Sequence, residues 1–160
     1  MPGNIKLPNL HDVIQDVMGW TDSHLHAFMV QDCRYSDPYP DYDMDDDTLD
    51  ERKAKLTDLV ARPKDRFVYE YDFGDCWEHI VEVVSVGPPE KGMKYPVCLA
   101  GERDCPPEDC GGPWGYEDFL EAIRDPRHEE HKNYLEWIGG KFDPEAFDLK
   151  KINQRLKMTR

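Results

Sequence analysis

His24 and His26 stand two residues apart. On an extended strand that spacing puts both imidazoles on one face, as two ligands of one metal ion require. A second group lies in segment 69–84, where Tyr69-Glu-Tyr-Asp-Phe-Gly-Asp-Cys-Trp-Glu-His79 crowds Asp72, Asp75, Cys76 and His79 around a tight turn. A turn that only reverses the chain needs Gly or Asn and little else. If the two segments are neighbouring strands, His24, His26, Asp75 and His79 form a metal or acid–base site. Zinc is the metal that such a set suggests, and hydrolysis is the chemistry that it would allow. The alternative is that these histidines hydrogen-bond across a sheet.

Cys98, Cys105 and Cys110 form a second candidate ligand set, with spacings C-x6-C and C-x4-C. A zinc finger starts from closer pairs, so this signal is weaker than a C-x2-C motif. Cys76, three residues from His79, invites a Cys–His nucleophile, but positions three apart on a strand face opposite ways. From Asp41 the chain places Asp41, Asp43 and Asp45 at calcium-loop positions 1, 3 and 5. Asp46 then stands where the EF-hand needs glycine, and Arg52 where it needs glutamate. The motif fails at both. Gly111-Gly112-Pro113-Trp114-Gly115-Tyr116 precedes a helix as an anion site would, yet lacks the Lys and Ser/Thr of a P-loop. Packing of Trp114 and Tyr116 against the sheet explains it more cheaply. No catalytic residue and no organic cofactor site can be assigned, and whether the chain is an enzyme stays open.

The elements that must position these groups follow from periodicity. Asn9 caps an expected helix over 10–19, with Leu10, Val13, Ile14 and Val17 on one face and Gly19 as its stop. Residues 23–30 alternate as a strand, with Leu25, Ala27 and Met29 opposite His24, His26, Phe28 and Val30. An acidic surface loop is expected over 36–51, and a short helix near 55–60. The hairpin follows, with Phe67, Tyr69 and Tyr71 on one face of its first strand and Trp77, His79, Val81 and Val83 on one face of its second. Residues 95–113, rich in Pro, Gly and Cys, read as irregular. Helices are expected over 116–124 and 129–138, and a last one from the cap Asp143-Pro144-Glu145 through Leu156. Strands first and helices later argue for an α+β fold: one compact domain over 1–160, a small, mostly antiparallel sheet with a central hairpin, and several packed helices.

Composition narrows the function classes. The chain has 160 residues, 39% hydrophobic, and a formal charge of −14, which opposes nucleic-acid binding because such domains gain affinity by neutralising phosphates. The basic end, with Lys150, Lys151, Arg155, Lys157 and Arg160, reads as a solvated helix end. No apolar run is long enough to span a membrane, and the start lacks a signal-peptide plan, so the expected address is the cytoplasm. Five cysteines without a secretory leader point to thiols or metal ligands rather than disulfides.

Together these segments resemble the plasmid pRiA4b ORF-3-like family, whose members are sometimes labelled passenger proteins of insertion elements. The resemblance is carried by Leu10-His-Asp-Val-Ile-Gln, Met18-Gly-Trp, Asp22-Ser-His-Leu-His-Ala-Phe, the 69–79 segment, Tyr95-Pro-Val-Cys with Gly101-Glu-Arg-Asp-Cys-Pro-Pro-Glu-Asp-Cys-Gly-Gly-Pro-Trp-Gly-Tyr116, and Phe142-Asp-Pro-Glu-Ala-Phe. It implies a compact α+β domain and no set activity. Family members usually start with an extra strand ahead of the first helix. Only Ile5-Lys-Leu stands in front of that helix here, so the expectation is either a shortened start or a dimer that covers the sheet edge left open. Three readings follow: a non-enzymatic binding or accessory domain with an unknown protein or small-molecule partner, a metal-binding domain, and a DNA-associated mobile-element protein.

Overall fold

A computed structural model of the chain describes residues 1–38 and 47–158. The first helix, α1 (Leu7–Met18), starts earlier than expected. Pro8 belongs to its first turn, where a missing N–H costs nothing, and Lys6, not Asn9, is the cap. Gly19 ends it in a left-handed conformation, φ 93°, with its N–H donating to the Gln15 carbonyl, as expected of a C-terminal glycine.

The sheet follows. Strands β1 (His26–Val30), β2 (Cys33–Ser36), β3 (Thr48–Asp50), β4 (Arg66–Tyr71) and β5 (Trp77–Glu82) are ordered β3-β2-β1-β4-β5. All neighbours are antiparallel except β2 and β3. The hairpin β4–β5 is therefore at one side of the sheet rather than its centre, and β5 is an edge. β1 starts only at His26, so His24 lies outside the strand that the alternation had placed it on. The acidic segment 36–51 is not a loop throughout: Ser36 closes β2, 48–50 form β3, and Glu51 opens a 3-10 turn, Glu51–Lys53. The calcium-loop positions Asp41, Asp43, Asp45 and Asp46 lie outside the described residues.

Register explains the layering. His26 pairs with Tyr71, Phe28 with Tyr69 and Tyr35, Tyr69 with His79, and Phe67 with Val81. Paired residues share a face, so these side chains form one surface. Leu7 and Leu10 of α1 pack on it with Trp20, Leu59 and Val60. Strand β4 thus alternates as the sequence predicts, with Phe67, Tyr69 and Tyr71 all buried. Leu59 comes from the short helix α2 (Leu56–Leu59). The opposite side of α1 packs Val13 on Ile152 and Leu156 of the last helix.

Helices α3 (Gly112–Arg124), α4 (His131–Trp137) and α5 (Leu149–Met158) complete the chain. Phe119 of α3 is the centre of an aromatic cluster with Tyr134, Trp137 and Phe142. Asp143 and Pro144 do not cap α5. That task falls to Asp148, whose Oδ1 accepts from the Lys150 and Lys151 amides at 3.0 Å each. Tyr116 packs on Trp77, Phe119 and Phe142, but Trp114 is 80% exposed, against the expectation that both pack on the sheet.

At Gly112 the backbone has φ 69°, and an added Cβ would collide with the carbonyl oxygen of Asp75 in the hairpin turn. The glycine thus lets the start of α3 press against that turn. Gly139 also has a positive φ, 83°, but open space around it. Gly112→Ala should therefore lower unfolding stability by more than about 1 kcal/mol, and by more than Gly139→Ala. Urea denaturation of the two variants checks this, and equal losses would refute a role for the close approach.

Candidate functional site

Among the described residues, two groups of three ligating side chains have donor atoms that all lie within 4.8 Å of one another: His11, Asp22 and His26, and His24, Asp72 and Asp109. His24, His26, Asp75 and His79 do not come together as the strand alternation suggests. His26 goes inward from β1, while His24 sits in the irregular segment ahead of it and turns to the hairpin mouth. Asp22, with φ 55°, makes the bend between them and α1.

The first group is a buried network. His11 Nδ1 bonds the Tyr69 hydroxyl at 2.7 Å and its Nε2 bonds Asp22 Oδ1 at 2.8 Å. Gln15 donates to the same hydroxyl at 3.0 Å, and its Oε1 accepts from the Asp22 amide. His26 Nε2 bonds Glu51 Oε2 at 2.9 Å, with the two residues only 4% and 2% exposed. The imidazoles of His11 and His26 stack at 3.6 Å with planes 11° apart. Nitrogen lone pairs lie in the ring plane, so parallel stacked rings do not converge on one ion as tetrahedral coordination needs. Burial lowers the His11 pKa, with the neighbouring His26 adding to it. Burial also pushes the Tyr69 phenol up. This group ties α1, β1, β4 and the 3-10 turn together; it is scaffold.

The second group lies at the rim of a surface cleft, with Asp109 exposed, His24 half-buried and Asp72 buried. Segment 21–25, the 72–76 turn and loop 108–111 meet there. Tyr71 holds the junction: its hydroxyl accepts from the Ser23 amide at 3.0 Å and donates to Glu108 Oε1 at 2.7 Å. Glu108 also accepts from the Thr21 amide and hydroxyl, bonds that lower its pKa against the opposing effect of burial. Asp75 Oδ2 accepts from the Gly111 amide at 3.1 Å. Asp72 Oδ1 accepts from the amides of Gly74 and Asp75, an Asx turn that shapes the hairpin end. Its Oδ2 lies 3.6 Å from His24 Nε2, and Asp109 Oδ1 lies 3.0 Å from the same nitrogen. Asp22, Ser23, His24, Leu25, Asp72, Phe73 and Gly74 line an open cleft of about 460 Å³ beside it.

The remaining candidates are held elsewhere. His79 Nδ1 lies 3.3 Å from the Tyr69 carbonyl and 3.1 Å from that of Trp77, and its ring meets Trp20 edge-on. Burial lowers its pKa. Cys98, Cys105 and Cys110 are free thiols, and none belongs to either ligating group. Burial pushes Cys105 up to about 12 and Cys110 up to about 11, so both are thiols at neutral pH. Cys98 is fixed by its backbone: its N–H donates to Asn153 Oδ1 and its carbonyl accepts from Asn153 Nδ2.

Sequence reasoning singled out His24 but missed Asp72 and Asp109 as its companions, and His11, Asp22 and Glu51 as companions of His26. Asp72 was visible in the overloaded turn, where Gly74 follows it at an Asx-turn spacing. Nothing local marked Asp109 or Glu51. His11 carried a weak signal: a polar residue on a helix face between Leu7 and Gln15.

The chain matches the family model of plasmid pRiA4b ORF-3-like proteins over residues 1–151. It is 40% identical over 158 residues to uncharacterized protein y4hQ of Sinorhizobium fredii (strain NBRC 101917 / NGR234), which covers 98% of this chain and 80% of that protein. A crystal structure of a protein of unknown function, MM3350 from Methanosarcina mazei Go1, superposes with a TM-score of 0.83 at 40% identity, over 94% of this chain and 84% of that one. The chain belongs to the pRiA4b ORF-3-like family.

Two outcomes follow from the buried network. Glu51→Leu should cost about 3 kcal/mol of unfolding stability, since it strips a buried histidine of its partner, and adding His26→Phe should recover part of that loss. Equal losses in single and double variants, read by urea denaturation, would contradict the pairing. The second concerns pH. His11 and His79 have folded pKa values below the ordinary 6.5. Below that value the unfolded chain binds protons that the folded chain refuses, so stability is full above it and falls on acidification. Urea midpoints should drop between pH 7.5 and 5.5, and the drop should shrink in His79→Gln.

Proposed function

We propose that this chain is a non-enzymatic binding or accessory domain of the cytoplasm, and that its recognition site is the cleft between segment 22–25 and the 72–76 turn. One observation carries the reading. Tyr71, Glu108 and Asp75 lock three separate segments into a junction through side-chain bonds, and the junction holds open a cleft lined by His24 and Asp72. Such pre-organisation lowers the ordering cost of binding. Buried Cys110, half-buried Cys105 and the packed His79 support structural rather than nucleophilic roles.

The charge of the site selects the partner. Asp72 and Asp109 beside His24 suit a cationic group of a small molecule or protein, and the net charge of −14 opposes nucleic acid. No described helix is long and apolar enough to cross a membrane. Self-association along β5 is the less favoured mode. Glu78 and Glu82 flank Ile80, which is 72% exposed, and antiparallel self-pairing centred on Ile80 would set Glu78 against Glu82 of a second copy.

Backbone-amide NMR during titration with organic amines, basic peptides and carboxylates tests the proposal. A cationic ligand should shift the amides of 22–25, 72–76 and 109–112 together, remain chemically unchanged, and lose binding in His24→Ala. Shifts confined to other segments, or turnover of the ligand, would overturn it.

A further inference from the structure

We propose that His24, Asp72 and Asp109 bind one divalent transition cation, of the borderline class to which zinc belongs. This rests on the reading of the cleft as the recognition site and names an ion as one of its ligands. In tetrahedral coordination with bonds of about 2.1 Å, neighbouring donor atoms are separated by about 3.4 Å. The two separations from His24 Nε2, 3.0 Å to Asp109 Oδ1 and 3.6 Å to Asp72 Oδ2, bracket that value. All three donor atoms lie within 4.8 Å of one another.

The second observation is the state of the imidazole nitrogen. His24 Nε2 is shielded from solvent and makes no hydrogen bond among the described residues; its contacts are the two carboxylates, Asp109 at 3.0 Å and Asp72 at 3.6 Å. A buried ring nitrogen left without a hydrogen bond is costly, and a cation between the three side chains would satisfy it. Asp72 contributes a third feature. It is only 8% exposed and accepts both of its amide hydrogen bonds on Oδ1. Its Oδ2 is thereby held toward His24. One imidazole with two carboxylates is a mixed nitrogen and oxygen set, which suits zinc, manganese or ferrous iron better than calcium or a thiolate-seeking ion. The open cleft leaves coordination positions for water or an external group.

Two carboxylates on one cation also explain the placement of loop 108–111. Asp109 reaches His24 from a backbone with φ 59°, a conformation that aspartate tolerates better than most residues. The site would thus join the hairpin turn, the segment before β1 and the loop before α3 through one ion.

The test uses the full chain without an affinity tag, stripped by chelator and titrated with zinc chloride by calorimetry. One equivalent should bind. Asp109→Ala, at an exposed position, and Asp72→Asn, which keeps the Asx-turn acceptor, should each weaken binding at least tenfold. His128→Ala should leave it unchanged. Binding that is unaltered by both aspartate variants, or no stoichiometric binding, overturns the proposal. If cationic organic ligands still shift the cleft amides when zinc does not bind, the cation is wrong and the cleft reading stands. If zinc binds as described and no organic ligand does, the ion site stands and the wider recognition role fails.

Discussion

A carboxylate buried at 2% exposure is the constraint around which the fold is arranged. Glu51 follows β3 and has His26 of β1 as its partner. Leaving that charge unpaired in the interior would cost several kcal/mol, so the end of the acidic segment must be delivered to the centre of the sheet. His26 in turn stacks on His11 of α1, and His11 bonds Tyr69 of β4. Four elements far apart in sequence therefore share one hydrogen-bonded and stacked cluster. Apolar packing of Leu7, Leu10, Phe28 and Phe67 supplies the bulk of the core. The polar cluster specifies how helix and sheet are aligned within it.

The cleft inherits its geometry from this alignment. His11 and Gln15 hold Asp22 by its side chain and its amide, which places the bend that carries Ser23 and His24. Tyr71, whose ring stacks on Trp20, then receives Ser23 from one side and Glu108 from the other. Gly112 allows α3 to approach the turn closely enough for the Gly111 amide to reach Asp75. The scaffold cluster and the cleft cluster are thus consecutive links of one network. A change in the first should move His24 relative to Asp72.

The Methanosarcina mazei protein shares this architecture at 40% identity, over 94% of the chain. Nothing in a family name sets the chemistry of a cleft. What the geometry contributes is a pre-formed junction in which one imidazole and two carboxylates meet.

Much of the fold was legible because it depends on local rules. Alternation in 66–71 marked the buried face of β4, Gly19 stopped α1 by its left-handed conformation, and the absence of βαβ alternation pointed to α+β. The overloaded 72–76 turn also marked a real junction. What failed were inferences that needed long-range placement. Alternation through 23–30 put His24 and His26 on one face, but the strand begins only at His26. The acid-rich 36–51 segment read as solvated, although Glu51 is buried by a histidine 25 residues earlier. Periodicity determines which side of an element a residue occupies, because backbone geometry is local. Which carboxylate meets which imidazole is decided by strand order and helix docking, and those are set by the whole chain at once. The sequence alone therefore determined the class of the fold and the chemical richness of the hairpin. Only the tertiary structure separated His26 from His24 and gave each its own partners.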